Sequence, residues 1–313
     1  MNKERTEELI KHIKDTFEQK LSKELNLLRV SGPLILNNKT GLNDDLGDDR
    51  SPVEFWSKQS QSHIQIVQSL AKWKRVRLSE FTDYANYKGL YVDMNAIRMN
   101  EWVDFLHSYY VDQWDWEMII KPEERNIEFL KKIVRKINKV ICDIWVKDYD
   151  VYFITAQELL DKYPQYQWEP KQREYEITKE HKCVFIIGIG EDLSNGMPHD
   201  NRASDYDDWS LNGDLIYWSD ALQMPIEISS MGIRVNKESL AYQLNVKNEN
   251  DKLELPYHKM VMNDLLPLTI GGGIGQSRLC MLMLNKRHIG EVQSSVWPED
   301  EIKHCKERGI NLL

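Results

Sequence analysis

Between residues 3 and 28 apolar side chains return every three or four positions: Leu9, Ile10, Ile13, Phe17, Leu21 and Leu25. That spacing lays one stripe along a helix and predicts an amphipathic helix over 3–28. A second stripe, Ile127, Leu130, Ile133, Val134, Ile137, Val140 and Ile141, predicts a helix over 122–142. Shorter helices are expected over 155–163, with Thr155 as N-cap, and over 237–246. Leu27 to Leu36 is an apolar strand broken by Gly32-Pro33. Proline donates nothing to a ladder, so this strand is expected at an edge or a subunit contact. Ser62–Leu70 alternates weakly. Gly89–Ile97, Leu106–Trp116, Cys183–Gly190, Leu215–Trp218 and Ile226–Ser229 are expected strands, and 37–52 and 191–213 read as loops. Strands arrive in groups rather than alternating with helices. The expected class is therefore α+β, not a doubly wound parallel sheet. No internal repeat or Pro/Ser linker divides the chain, so 1–313 is expected to form one domain.

Residues 267–284 interrupt the pattern. Gly271, Gly272, Gly273 and Gly275 precede Arg278, and an apolar run, Leu279 to Leu284, follows. The expected layout is a strand, a tight passage, then a helix with Arg278 in its first turn. Glycine has no Cβ, so a ligand can lie against such a backbone. A fixed cation at a helix start suits an anion such as a nucleotide phosphate. The third glycine of a dinucleotide fingerprint is missing, and no Gly-Lys-Ser/Thr follows. A glycine-rich turn before a core helix accounts for the same letters.

Composition narrows the picture. Hydrophobic residues are 41% and charged residues 29%, a globular balance, and the ten Trp and fourteen Tyr suit a large core and aromatic-lined clefts. A net charge of −9 argues against nucleic acid as a partner, though not against a local basic site. The four cysteines, Cys142, Cys183, Cys280 and Cys305, lack metal-ligand spacing and read as free thiols of a reducing cytosol. The N-terminus has no apolar signal region, and no stretch is long enough to span a membrane. A cytoplasmic protein is expected.

Four groups of residues carry candidate chemistry. In Val111-Asp-Gln-Trp-Asp-Trp-Glu117, a strand sends Gln113, Asp115 and Glu117 to one face and Asp112, Trp114 and Trp116 to the other. Acids interleaved with tryptophans suit a half-buried site for a small amino-bearing ligand. Lys72, Lys74, Arg75 and Arg77 offer cations, or else an exposed basic turn. Arg98, at a strand end, pairs with Arg278 as a clamp for polyphosphate. Asp214 and Glu227, on neighbouring strands, suit Mg²⁺ bridging to ATP phosphates. No Ser-His-Asp or Cys-His set and no zinc spacing is present in the sequence.

Together these stretches resemble the ammonia-dependent asparagine synthetase (aspartate–ammonia ligase) family. Ser69-Leu-Ala-Lys-Trp-Lys-Arg75, Gly89-Leu-Tyr, Leu106-His-Ser, Tyr110 to Glu117, Gln157-Glu-Leu-Leu, Asp205 to Ser210, Leu211-Asn-Gly-Asp214, Ser229 to Arg234, Ile270 to Leu279 and His288-Ile-Gly run in family order. The family in turn is similar to the catalytic domains of class II aspartyl- and asparaginyl-tRNA synthetases. That resemblance implies an antiparallel sheet flanked by helices, a homodimer formed through the first helix and the Pro33 strand, and no anticodon-binding domain. It implies that Asp44, Lys74, Gln113, Asp115, Asp207 and Arg234 hold aspartate. Arg98, Ser108, Asp214, Glu227, Ser230 and Arg278 would hold ATP, with Mg²⁺ on Asp214 and Glu227. The implied reaction forms β-aspartyl-AMP and pyrophosphate, and ammonia then displaces AMP. Arg98 and Arg278 would stabilise the transferring phosphate, and Asp44 or Asp115 would receive the ammonium proton. Three positions depart from the family: Asn100 stands for an Asp, Ser204 for a Pro, and Asp45-Leu46-Gly47-Asp48 for a differently spelled loop. The alternative is a synthetase-like paralogue that passes its aminoacyl-adenylate to another acceptor.

Overall fold

The computed structural model describes residues 2–44, 46, 51–82 and 86–313. Helix α1 (Lys3–Leu25) starts where the Asn2 side chain accepts the Arg5 amide and stops at Asn26, in the left-handed region at φ 54°. It buries Ile10, Ile13, Phe17, Leu21 and Leu25, the expected stripe. The apolar segment that follows forms not one strand but two. Strand β1 (Leu27–Arg29) runs parallel to a strand of the main sheet. Strand β2 (Ile35–Asn37) belongs to a separate three-stranded sheet with β3 (Glu54–Ser57) and β4 (Ser62–Ile66), in the order β2-β4-β3. Gly32-Pro33 divides the two.

The basic cluster lies on a helix, α2 (Ala71–Ser79), not on an exposed turn: Lys72, Lys74 and Arg75 are buried. Strands β5 (Gly89–Ile97) and β6 (Tyr110–Ile119) pair antiparallel, the second starting four residues later than its pattern predicts. Helix α3 (Ile127–Trp145) buries Leu130, Ile133, Val134, Ile137, Val140 and Ile141 as expected. Its start is set by the Asn126 side chain capping the Phe129 amide. Strand β7 (Tyr152–Thr155) leads into α4 (Ala156–Lys162), where Thr155 and Glu158 form a capping box. Helix α5 (Pro170–His181), which its weak periodicity conceals, precedes β8 (Cys183–Ile187).

Strands β9 (Asp207–Ser219) and β10 (Met224–Arg234) are far longer than their apolar cores, so the last third of the expected 191–213 loop is strand. Helices α6 (Lys237–Val246) and α7 (Pro256–Met262) then lead to β11 (Thr269–Gly275), α8 (Gln276–Met283) and α9 (Glu299–Glu307). The main sheet has the order β1-β5-β6-β11-β10-β9-β8-β7. Its six central strands are antiparallel, and only the two edge strands pair parallel. One face carries the largest core cluster, where Phe17, Leu21 and Leu25 of α1 and the apolar stripe of α3 meet Trp114, Trp116, Leu215, Tyr217 and Ile274. The opposite face of its central strands carries the polar residues described below.

Phe17 is fully buried, and its ring lies 4.6 Å from that of Trp114. Truncation there leaves a cavity between α1 and the sheet, so Phe17→Ala should lower the unfolding free energy by about 3–5 kcal/mol in urea titration.

Candidate active site

The glycine-rich segment is strand, not a tight passage. Gly271, Gly272, Gly273 and Gly275 all lie in β11, and none has a positive φ. Their use is the missing Cβ. A Cβ on Gly271 would sit 2.0 Å from Glu117 Oε2 and 2.5 Å from Arg234 Nη2; one on Gly273 would sit 2.5 Å from Gln113 Oε1. In register, Asp115 faces Gly273, Gly273 faces Ser230, and Ser230 faces Asp214. At ordinary strand spacing that row spans about 14 Å across four strands. Bare backbone in the middle lets polar groups gather from both sides above a cleft of about 420 Å³.

At the β6 end, Gln113, Asp115, Lys74, Asp207 and Arg234 all line the cleft. Lys74 is wholly buried and donates to Asp115 Oδ1 (2.7 Å), Trp116 O (3.0 Å) and Gly272 O (3.3 Å). All three ammonium protons are engaged. Lys74 therefore acts first on Asp115. Arg234 donates through Nε and Nη2 to Glu117, at 2.7–3.1 Å, and through Nη1 to Asp207. Burial pushes the Glu117 carboxyl up, but Arg234 outweighs it and holds the group below its usual range. Burial raises Asp207 despite the same guanidinium.

At the other end, Arg98 and Arg278 line the same cleft, with Ser108, Glu227 and Ser230. Arg98 follows β5, its amide donating to Tyr109 O at 2.8 Å. Arg278 lies in the first turn of α8, as its sequence position predicts, and donates to Glu227 O at 3.1 Å. The two guanidinium groups far apart in sequence thus flank one cavity. Asp214 lies just outside the lining, on the same face. One of its oxygens accepts from Arg202, and the buried Oδ1 has no partner. Burial pushes its carboxyl up to about 7. An orphaned carboxylate oxygen beside Glu227 fits a hard divalent cation.

Asp44, expected against aspartate, is buried at the start of α2, next to Ser69 and Ala71 of the cleft lining. Its oxygens accept the amides of Ala71 (2.6 Å) and Lys72 (3.2 Å), so it caps α2 from a distant loop. The departures at Asp45, Gly47 and Asp48 lie outside the described residues. Ser204, standing for a proline, donates its hydroxyl to Glu249.

The chain matches the family described as aspartate-ammonia ligase over residues 4–309. It is 50% identical to the aspartate–ammonia ligase of Pediococcus pentosaceus, over 98% of this chain and 95% of that one. It is 52% identical to that of Clostridium perfringens, with the same coverage. The chain belongs to the aspartate–ammonia ligase family. Among solved structures it is similar to Entamoeba histolytica asparaginyl-tRNA synthetase in complex with asparaginyl-adenylate. The TM-score is 0.65 at 13% identity, covering 93% of this chain and 66% of that one. That likeness shows the class II synthetase fold.

In the sequence alone Glu117 falls on the Gln113 face without a role, and Arg202 and Lys171 have none either. Glu117 anchors Arg234, and its only signal was its place on the Gln113 face. Arg202 and Lys171 both line the cleft. Arg202 lies in a segment read as loop. Lys171 opens the unforeseen α5, where Glu174 (3.0 Å) and Asp200 (3.6 Å) hold its ammonium above the usual range. Lys72 turns away from the cleft to Asp205 Oδ2 (2.9 Å), which also meets His258 Nε2 (3.0 Å); all three are buried.

Burial favours the neutral Asp205 acid, yet Lys72 and His258 keep it far below the usual carboxylate range. A depressed acid contributes stability above its unfolded pKa that is lost as pH falls. Lys72→Met should cost about 3–5 kcal/mol at pH 7, because it strands a buried carboxylate. The deficit should shrink towards pH 4.5, where the released acid takes a proton. Urea unfolding at the two pH values measures both terms.

Proposed function

We propose that the protein makes L-asparagine from L-aspartate and ammonia, driven by ATP and releasing AMP and pyrophosphate. Family membership supports the reaction. The single observation that carries the mechanism is the shared cleft: Arg98 and Arg278 at one end, Lys74, Gln113, Asp115, Asp207 and Arg234 at the other. A carboxylate is a poor acyl donor. In the proposed first step an oxygen of the aspartate β-carboxylate attacks the α-phosphorus of ATP and pyrophosphate leaves. Charge gathers on the phosphoryl oxygens in that step, where Arg98 and Arg278 are placed to meet it. In the second, ammonia attacks the β-carbonyl carbon and AMP leaves as its phosphate takes the electron pair.

Gln113 and the acids Asp115 and Asp207 suit the α-ammonium of aspartate, and Arg234 its carboxylate. Asp115 borders the cleft and Asp44 lies just behind it, and either suits the proton that ammonium gives up. Mg²⁺ fits Asp214 and Glu227 and would add charge neutralisation at the phosphates. Ser108 and Ser230 suit the nucleotide as hydroxyl donors. The reading includes one catalytic domain over 1–313, a cytoplasmic location suited to four buried free thiols, and a homodimer. Leu34 and Ile35, beside Pro33, are 55% and 47% exposed, and Phe55 and Trp56 of the same small sheet are 52% and 55% exposed. Apolar surface of that extent on one element is characteristic of an interface.

With aspartate, ATP, Mg²⁺ and ammonium, the purified protein should yield AMP and asparagine in equal amounts. ADP in place of AMP would rule out adenylation; AMP without asparagine would point to another acceptor. Arg278→Ala should abolish aspartate-dependent pyrophosphate exchange. Lys74→Met should raise the KM for aspartate at least tenfold, and an unchanged KM would remove Lys74 and Asp115 from that pocket. Trp56→Asp should shift sedimentation from dimer to monomer, and a wild-type monomer would dismiss the dimer.

A further inference from the structure

Gln293, in the segment before α9, is 5% exposed and lines the cleft. Its amide nitrogen lies 3.1 Å from Ser277 Oγ and 3.5 Å from Asp112 Oδ1. Asp112 fixes which way the amide points. It is 5% exposed, accepts the Ser277 amide at 3.0 Å and is paired with Lys14 at 2.7 Å, so it is an acceptor only. It requires the nitrogen end of the amide and repels the oxygen end. Gln293 Oε1 is left buried with no hydrogen-bond partner. A buried, unmade acceptor is costly, and in a cleft wall it calls for a donor from a ligand.

ATP brings few neutral donors: the adenine 6-amino group and the ribose hydroxyls. The neighbourhood distinguishes them. Leu106 and Ile289, which line the cleft with Gln293, belong to one apolar cluster. Apolar walls with one acceptor suit a base edge better than a hydroxylated sugar. We infer that Gln293 determines nucleobase specificity by accepting a hydrogen bond from the 6-amino group of adenine. Inosine and guanosine nucleotides present a carbonyl oxygen at that position, which would meet the Gln293 oxygen as a like dipole. The inference rests on the nucleotide reading above.

The test is calorimetric binding of ATP, purine-riboside triphosphate (no 6-amino group), inosine triphosphate, 2′-deoxy-ATP and 3′-deoxy-ATP. Wild type should bind the two base analogues about ten- to a hundredfold more weakly than ATP, the range expected for a lost buried partner. Gln293→Met removes the acceptor at similar length and should bring that ratio near one. A wild-type ratio near one overturns the inference even if Gln293→Met does not fold. So does a ratio that persists in a folded Gln293→Met, or a loss of affinity confined to the deoxy nucleotides. Failure of ATP itself to bind would instead dismiss the nucleotide reading, and the inference with it.

Discussion

Two cations buried beneath a glycine strand set the terms for the rest of this structure. Lys74 and Arg234 are 0% and 2% exposed. Neither charge is tolerable there without full pairing, since an isolated ion loses many kcal/mol of hydration. Their partners come from elsewhere: Asp115 and Glu117 on β6, Asp207 on β9 and backbone carbonyls of β6 and β11. These partners need room between neighbouring strands. Gly271 and Gly273 provide it, because any side chain there would occupy the space of Glu117, Arg234 or Gln113. The glycines and the charges are one arrangement. Glycine weakens a strand interior on its own account, and here the surrounding ion pairs and flanking ladders hold it.

This arrangement also separates the cleft into two chemical ends. Across β6, β11, β10 and β9 the register places an acid, a glycine, a serine and an acid in one row. The first acid is tied to Lys74 and the last to Arg202. Each of these two acids is thus paired with a cation before any ligand enters. Arg98 reaches the cleft from the end of β5 and Arg278 from the first turn of α8, so the two cations face the same space. The amide of Gln113 and the carboxylate of Asp115 face it from β6. One sheet face supports both because alternation sends every second side chain into the cleft, while the intervening Trp114, Trp116, Met231 and Ile233 hold the core.

Much of this was legible in the sequence. The stripes of α1 and α3, the Thr155 cap, all of β5 and the bounds of α6 follow from local periodicity and capping chemistry. What escaped has a common cause. The strand character of β11 is invisible because glycines carry no alternation. Lys72, Lys74 and Arg75 read as surface because the groups that bury them, Asp205, Asp115 and the carbonyls of Val235 and Pro267, lie 41 to 192 residues away. The front of β9 read as loop because Asp207 and Asp208 look exposed until Arg234 and Arg125 are set beside them. Most of the residues that the family resemblance named line one cleft, and Asp44 lies beside it at the start of α2.

The contacts of Asp44 point to how the cleft is kept rigid. Helices α2 and α8 carry Lys74 and Arg278, and each begins on a residue with no polar side chain, Leu70 and Gly275. Neither can cap itself. The missing acceptors are carboxylates from elsewhere: Asp115 takes the Leu70 amide, Asp44 those of Ala71 and Lys72, and Asp112 that of Ser277. Asp112 and Asp115 project from opposite faces of β6, so one strand sets the start of both helices. A carboxylate at a helix start also meets the positive end of its dipole. Lys14 of α1 in turn holds Asp112 from the core side. Lys74 and Arg278 are therefore placed relative to each other through β6. A self-capped helix would be free to shift against the sheet without breaking its cap. Here any such shift breaks a buried, charged hydrogen bond, which converts local helix stability into the fixed spacing that a two-ended cleft requires.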